Sequence, residues 1–389
     1  RKKEEYLLSL DIGTTALKGL LYKRENEKII ALKTFLYYAE ESEELFESQF
    51  LKEDFIRKAI LKVIGELNEK DNFSKKLQYI FLSLPGTILK NQVFFITFER
   101  KSPTQKITVQ EAEALVKNIK VSAQKEISQT FSQKTGILER DLYFLESKIL
   151  EIKIDGYEVS QLVGFSGKKM DFILLFTFLL KYDLEKTENI FRNLNFKNFK
   201  ISSLYQNLVP AFGDKTLSAL FVDIGGKISH LVFIQEGKIQ RISQFLGGGN
   251  EFSQALSQNL GISVSEAEDL KIRYSKKILS ESVRKRIREI FSPVAQKWFS
   301  NLKLKLQEIQ STEIIFPSTI FIFGGGSLLP ETEEILREGD WEELPFLKKP
   351  EVKFLSPKNF KDLGGEAQLF TNPQYTPLFL IPYDKSKIF

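Results

Sequence analysis

What most constrains this chain is a short unit that occurs once in each half. Tyr6–Tyr22 reads YLLSLDIGTTALKGLLY and Ala219–Ile234 reads ALFVDIGGKISHLVFI. In each, an apolar strand runs into Asp-Ile-Gly, a short polar turn follows, and a second alternating strand leaves. After both comes a charged turn, Glu-Asn-Glu-Lys at 25–28 and Glu-Gly-Lys at 236–238, and then a third strand. Self-similarity of this kind predicts two sheets of like construction. At 389 residues the chain predicts two or three domains, with a core large enough to need no cross-links.

Composition removes several kinds of chemistry. With no cysteine there is no disulfide framework, no thiolate metal site and no cysteine nucleophile. A single histidine, His230, rules out zinc sites built on paired imidazoles, and any Ser-His-Asp triad would have to run through it. His230 itself reads as a strand residue on the solvent face. Lys+Arg 56 against Asp+Glu 51 leaves +5 spread along the chain, too little to mark a nucleic-acid binder. The N-terminal RKKEEYLLSLD turns acidic before any long apolar run, so no signal peptide is expected. The longest apolar stretch, Phe172 to Leu180, is about half a membrane span and ends at Lys181.

The turns carry chemistry of their own. Gly13 lets the backbone approach a ligand closely, successive amides form an anion-binding concavity, and the Thr14 and Thr15 hydroxyls add donors. Lys18 offers a point charge to a phosphate. Asp11, at the strand end, faces whatever cation accompanies the anion; a hydrated magnesium on a nucleotide suits one or two carboxylates. A third element is Ser318–Pro330, STIFIFGGGSLLP. There Gly324, Gly325 and Gly326 let a flat ring lie against backbone, and Ser327 leads into a helix expected from Glu331.

These residues resemble the actin-like ATPase superfamily. LDIGTTALK is similar to its first phosphate loop, FVDIGG to the start of the second, and FIFGGGSLL to its adenosine motif. The segment 247–271, GGGNEFSQALSQNLGISVSEAEDLK, resembles the loop and helix after the second phosphate strand. Glu268 and Lys271 there sit one turn apart and, by the resemblance, reach the ribose; the bland alternative is an exposed ion pair. The middle of the chain narrows the family. A helix from KITVQEAEALVKNIKVSAQKEI, opened by Thr108 and Glu111 at capping-box spacing, is followed by SKILEIKIDGYEVSQLVGFSGKKMDFILLFTFLL. This resembles the small inserted SHS2-type subdomain of the FtsA cell-division family, and EKTENIFRNLNFKNFKISSLYQNLVPAF resembles that family's return to the main domain.

The resemblance implies an α/β, actin-like two-lobed fold, a duplicated ribonuclease-H-like motif with a small α+β subdomain inserted. Residues 1–97 and 181–214 would form the first lobe (1A), 98–180 the insert (1C), 215–246 and 311–389 the second lobe (2A), and 247–310 its helical cap (2B). Each lobe would rest on a mixed five-stranded sheet, and Pro293 would break SESVRKRIREIFSPVAQKWFSNLKLKLQEI into two helices. The basic run Arg284 to Arg288 in the first of these reads as a solvated face.

Function follows as a further expectation. ATP with Mg2+ would sit at Asp11, Gly13, Thr14, Thr15, Lys18, Asp223, Gly225, Gly226, Lys227, Gly248, Gly249, Glu268, Lys271 and Gly324 to Ser327. Asp11 and Asp223 would hold the metal through water. No residue is assigned a catalytic role beyond those two carboxylates. The expected protein is cytoplasmic and peripheral on the inner face of the cell membrane at the division site. It would polymerise head to tail, bind the FtsZ C-terminal tail and meet inner-membrane divisome proteins. The alternative is a PilM-like pilus assembly protein that binds a short peptide of an inner-membrane partner.

Two departures stand out. The second phosphate loop reads DIGGKISH where the family pattern is close to DIGGGTTD, so Lys227 replaces a glycine and His230 an acid. A Cβ there blocks close approach if the position needs a positive φ, so hydrolysis is expected to be slow or absent while binding persists. The chain ends in TPLFLIPYDKSKIF, with two prolines and too short for the membrane-surface helix that the resemblance implies.

Overall fold

The computed structural model describes residues 6–38, 53–68, 77–196, 198–309, 314–365 and 370–384. The outer limits expected for the lobes, residues 1–5 and 385–389, and the expected cap limit at 310 lie outside these. The first strands are β1 (Tyr6–Ile12), β2 (Ala16–Glu25) and β3 (Lys28–Tyr38), followed by α1 (Glu53–Asn68) and β4 (Leu77–Ser83). Next come β5 (Lys90–Glu99), α2 (Val109–Thr135), β6 (Leu142–Ile154), β7 (Tyr157–Glu158) and β8 (Lys169–Leu180). The chain returns through α3 (Lys181–Asn193), β9 (Phe199–Ile201) and α4 (Leu208–Phe212). The second half holds β10 (Ala219–Ile224), β11 (Ile228–Gln235), β12 (Lys238–Leu246), α5 (Gly249–Leu260), α6 (Val264–Ser275) and α7 (Glu281–Ile309). It closes with β13 (Thr319–Phe323), α8 (Pro330–Glu338), β14 (Glu351–Phe354), β15 (Leu363–Gly365) and α9 (Thr376–Leu380).

Three sheets result, ordered β15-β3-β2-β1-β4-β9, β12-β11-β10-β13-β14 and β5-β8-β6-β7. The repeated unit is visible in the pairing. β1 pairs antiparallel with β2 and parallel with β4, and β10 likewise with β11 and β13. Both central strands are fully buried, because each has helices or the other half of the molecule on its two faces. One apolar cluster joins the halves: Leu7, Leu20 and Phe81 meet Phe221, Val232 and Ile234 through Leu208 of α4 and Leu378 to Leu380 of α9. The cleft described below therefore has a packed floor rather than a loose linker.

Several local expectations meet a different outcome. The first sheet has six strands, not five, because Leu363–Gly365 pairs in parallel with Ile29 to Ala31 of β3. Strand β5, Lys90 to Glu99, pairs along its length with β8 in the four-stranded sheet and so spans residue 97. Pro293 does not break its helix, and α7 runs unbroken through it. The missing N–H costs one backbone bond, but Ile290, Phe291, Ala295 and Trp298 are buried around it and hold the helix in place. At α2, Thr108 accepts from the Glu111 N–H as expected. The Glu111 carboxylate is taken instead by a two-pronged Arg100 guanidinium, at 2.8 and 2.9 Å. The basic run is a largely exposed face, as expected, and carries surface ion pairs of Arg284 to Glu281, Arg286 to Glu289 and Arg288 to Glu334.

Trp298 ties α7 to the second sheet. It is fully buried, touches Phe245, and its indole N–H donates to Ser229 Oγ at 2.9 Å. Ser229 Oγ in turn donates to the Gly247 carbonyl at 2.7 Å. Trp298→Ala is expected to cost about 3–5 kcal/mol through the cavity it leaves. Urea denaturation checks this, and a midpoint unchanged from the parent would contradict it.

Candidate functional site

The two Asp-Ile-Gly turns close with the same backbone hydrogen bond. The Gly13 N–H donates to the Ala16 carbonyl at 2.9 Å, and the Gly225 N–H to the Ile228 carbonyl at 3.1 Å. A Cβ on Gly13 would stand 3.0 Å from the Ala16 oxygen, and one on Gly225 2.7 Å from the Ile228 oxygen. A side chain is therefore excluded at Gly225, and at Gly13 it would press on the corresponding carbonyl of its own turn. The duplication also sets equivalences across the strands. Asp11 lies opposite Lys18 and Asp223 opposite His230, so His230 occupies in the second unit the place that Lys18 has in the first.

Between the turns opens a cleft of about 660 Å³. Asp11, Gly13, Thr14, Thr15 and Lys18 line it from one side, and Asp223, Gly225 and Gly226 from the other. Gly249, Glu268 and Lys271 close one end together with Gly324, Gly325 and Gly326. Three expected residues do not line the cleft. Gly248 packs under the second turn, where a Cβ would come 2.3 Å from the Gly225 oxygen. Ser327 is fully buried, and its hydroxyl donates to the Gly324 carbonyl at 2.7 Å. Lys227 contributes its backbone, whose N–H donates to Thr14 Oγ1 at 3.2 Å across the cleft. Its φ is not positive, so its Cβ is carried without strain.

Electrostatics concentrate at the two carboxylates. Lys18 Nζ stands 2.8 Å from Asp11 Oδ2. Tyr205 donates its phenolic proton to Asp223 Oδ2 at 3.0 Å. Burial, and then the neighbouring Asp11, push Asp223 up to about 7 against the opposing pull of Lys18 and the Tyr205 hydrogen bond. Burial and the adjacent Asp223 hold the Tyr205 phenol well above its ordinary value. His230 is not on the solvent face: it is buried, its ring 4.8 Å from that of Tyr205, and a Cβ on Gly86 would strike it. Burial and then Lys90 push it down to about 3, so it is neutral, although Gln244 pulls the other way through a hydrogen bond.

Glu268 and Lys271 form an ion pair of 2.6 Å, and Lys271 Nζ also donates to the Gly249 carbonyl at 3.0 Å. Lys271 is buried, so the exposed-pair alternative does not hold for it; burial lowers its pKa against the pull of Glu268. At the glycine loop Gly324 has φ +85°, and a Cβ there would stand 2.4 Å from Asp223 Oδ1. Gly325 faces open space. Tyr38, Tyr205, Asn372 and Tyr375 also line the cleft, unanticipated from sequence. Tyr375 lies in NPQYTPL near the end of the chain, and the Pro373 carbonyl accepts from the Gly324 N–H at 3.2 Å.

Among the described residues no group of three or more His, Cys, Asp or Glu side chains could hold a metal ion. No described helix is long and apolar enough to cross a membrane.

Residues 220–377 match the family model of the cell division protein FtsA. In fold the whole chain is similar to the PilM-PilN type IV pilus biogenesis complex, at 13% identity and TM-score 0.66, covering 96% of this chain and 97% of that one. It is also similar to the ethanolamine utilization protein EutJ from Carboxydothermus hydrogenoformans, at 12% identity and TM-score 0.52, covering 97% and 89%. MreB 5 of Spiroplasma citri bound to AMPPNP is similar at 12% identity and TM-score 0.50, covering 98% and 96%. No curated protein matches the sequence. The fold is actin-like.

Proposed function

We propose that the chain is an actin-like protein of the FtsA/PilM type, that it binds ATP with magnesium in this cleft, and that it acts as an adaptor that hydrolyses ATP slowly or not at all. The observation that carries the reading is the pair of matched glycine turns, each with its strand-end carboxylate, Asp11 and Asp223, lining one cleft. The residues fit a magnesium nucleotide in kind. Two carboxylates are too few for a metal cage made of protein alone but suffice for a hydrated magnesium that brings phosphate ligands. Magnesium, when bound, would neutralise phosphate charge, with Asp11 and Asp223 holding it through water. Slow turnover is supported by His230, whose low pKa makes it a weak base in the place opposite Asp223.

On this reading the six-stranded sheet is the core of the first lobe, the four-stranded sheet the inserted SHS2-type unit, the five-stranded sheet the second lobe, and α5 to α7 its cap. The family match over 220–377 favours an FtsA-type role: head-to-tail filaments, capture of the FtsZ C-terminal tail, and a place on the inner face of the membrane among divisome proteins. Likeness to the PilM-PilN complex along nearly the whole chain favours the second reading, a PilM-like protein that binds a short peptide of an inner-membrane partner.

Titration with labelled ATP in magnesium is expected to give saturable binding that EDTA weakens. Absence of binding by the folded chain would overturn the cleft reading. An immobilised FtsZ tail peptide then separates the two roles: retention with sedimentable filaments supports the first, and neither supports the second.

A further inference from the structure

The four-stranded unit is rooted in the first lobe, which it leaves after β4 and rejoins at α3, yet it also grips the second lobe along β12. At one end of β12, Lys238 Nζ lies 2.5 Å from both Glu151 on β6 and Glu158 on β7. Further along, the Arg241 guanidinium stacks 4.0 Å above the Phe95 ring of β5. Near the other end, Gln244 lies opposite His230 in the sheet, and His230 lies opposite Asp223. A continuous cross-strand row therefore runs from the cleft carboxylate to the edge where the inserted unit sits. That edge is not merely touching. Leu175 is buried in the core cluster shared by the two lobes, and Val93, Leu150 and Ile242 pack against it. A second cavity of about 180 Å³ lies along the seam and shares His230 and Asn91 with the cleft.

We propose that the inserted unit is a strap that clasps β12 of the second lobe through Lys238 and Arg241 and so sets how far the cleft can open. The grip has two kinds of bond. Glu151 is buried, so its pairing with Lys238 loses little to solvent, whereas Glu158 is more than half exposed and its half of the clasp is weaker. Among the described residues no carboxylate lies within ion-pair distance of Arg241, and its hold on Phe95 is by stacking. Cutting both contacts leaves β12 in its own sheet but frees the lobe to swing about α4 and α9. The consequence for nucleotide release rests on the cleft holding a nucleotide; the clasp itself does not.

The absence of cysteine gives a direct test. Leu61→Cys on α1 and Lys285→Cys on α7, both exposed, become the only thiols and take spin labels for dipolar distance measurement in the nucleotide-free protein. Lys238→Ala/Arg241→Ala is expected to lengthen and broaden the inter-lobe distance distribution. The control Lys353→Ala, which removes an exposed ion pair on the remote strand β14, is expected to leave it unchanged. An unchanged distribution in a double variant that melts cooperatively overturns the strap. Should that variant not fold, Glu158→Gln, at an exposed side chain, is read in the same way with a smaller expected broadening. A fluorescent ATP analogue supplies the second arm: its dissociation is expected to quicken roughly tenfold in the double variant. Failure of the parent chain to bind the analogue would tell against the cleft reading alone, and the distance measurement still decides the strap.

Discussion

Asp11→Ala is expected to lower the affinity for magnesium-ATP by roughly a hundredfold or more, an effect that disappears when magnesium is withheld from both proteins. Asp11 is almost wholly buried at the end of β1, and its carboxylate is engaged by Lys18. Removing it has two consequences that point the same way. The metal loses one of its two carboxylates. Lys18, itself mostly buried, loses its counter-ion and turns to Asp223, the remaining negative group, where it competes with the metal cation. Calorimetric titration with and without EDTA measures both. Full affinity retained in magnesium would contradict the placement of the cation between the two turns.

The part of this site that could be read from sequence was the part built by backbone constraint. Gly13 and Gly225 mark turns in which a Cβ would crowd a carbonyl of the turn itself, and a carboxylate two residues before each glycine is fixed by the strand that carries it. Gly324 and Gly326 are legible for the same reason, whereas Gly325 faces open space. His230 was not. β11 is buried from Ile228 to Ile234 on both of its faces, so the alternation that would tell an inward residue from an outward one is lost. Nor do Tyr205 and Tyr375 stand out, because aromatic residues fill core positions throughout a chain with 34 Phe and 12 Tyr. At Lys227 the sequence left a condition open: a Cβ in place of the expected glycine blocks the loop only at a positive φ, and the backbone there is ordinary, its N–H donating to Thr14 across the cleft. Non-local pairing was equally hidden: Leu363–Gly365 joins a strand from the far end of the chain, and three residues carry no periodicity to announce it. At Pro293 local propensity spoke for a break, and the buried face of α7 outweighed it.

Asp223→Asn is expected to stabilise the nucleotide-free protein at pH 8 while weakening its hold on magnesium. An ordinary aspartate titrates at 3.8, whereas burial and Asp11 push Asp223 up to about 7. Between those values the folded protein keeps a proton that the unfolded chain has released, so stability falls as pH rises through this window and levels off above 7. The difference corresponds to a loss on the order of 4 kcal/mol across the window. Asparagine cannot ionise, still accepts the Tyr205 hydrogen bond through its carbonyl oxygen, and removes that loss. A divalent cation reverses the preference, because it favours the ionised carboxylate and must expel the proton to bind. Magnesium-nucleotide affinity of the parent chain is therefore expected to rise between pH 6 and 7, by at most about tenfold, and then to flatten. The Asn variant loses both this pH dependence and much of the affinity. Thermal melts from pH 4 to 8 in EDTA, paired with titrations at pH 6 and 8, test the two halves separately. Parallel melting profiles for the two proteins would mean that Asp223 is ionised throughout, and the balance would then have to be struck by Lys18 lying closer to Asp223 than to Asp11.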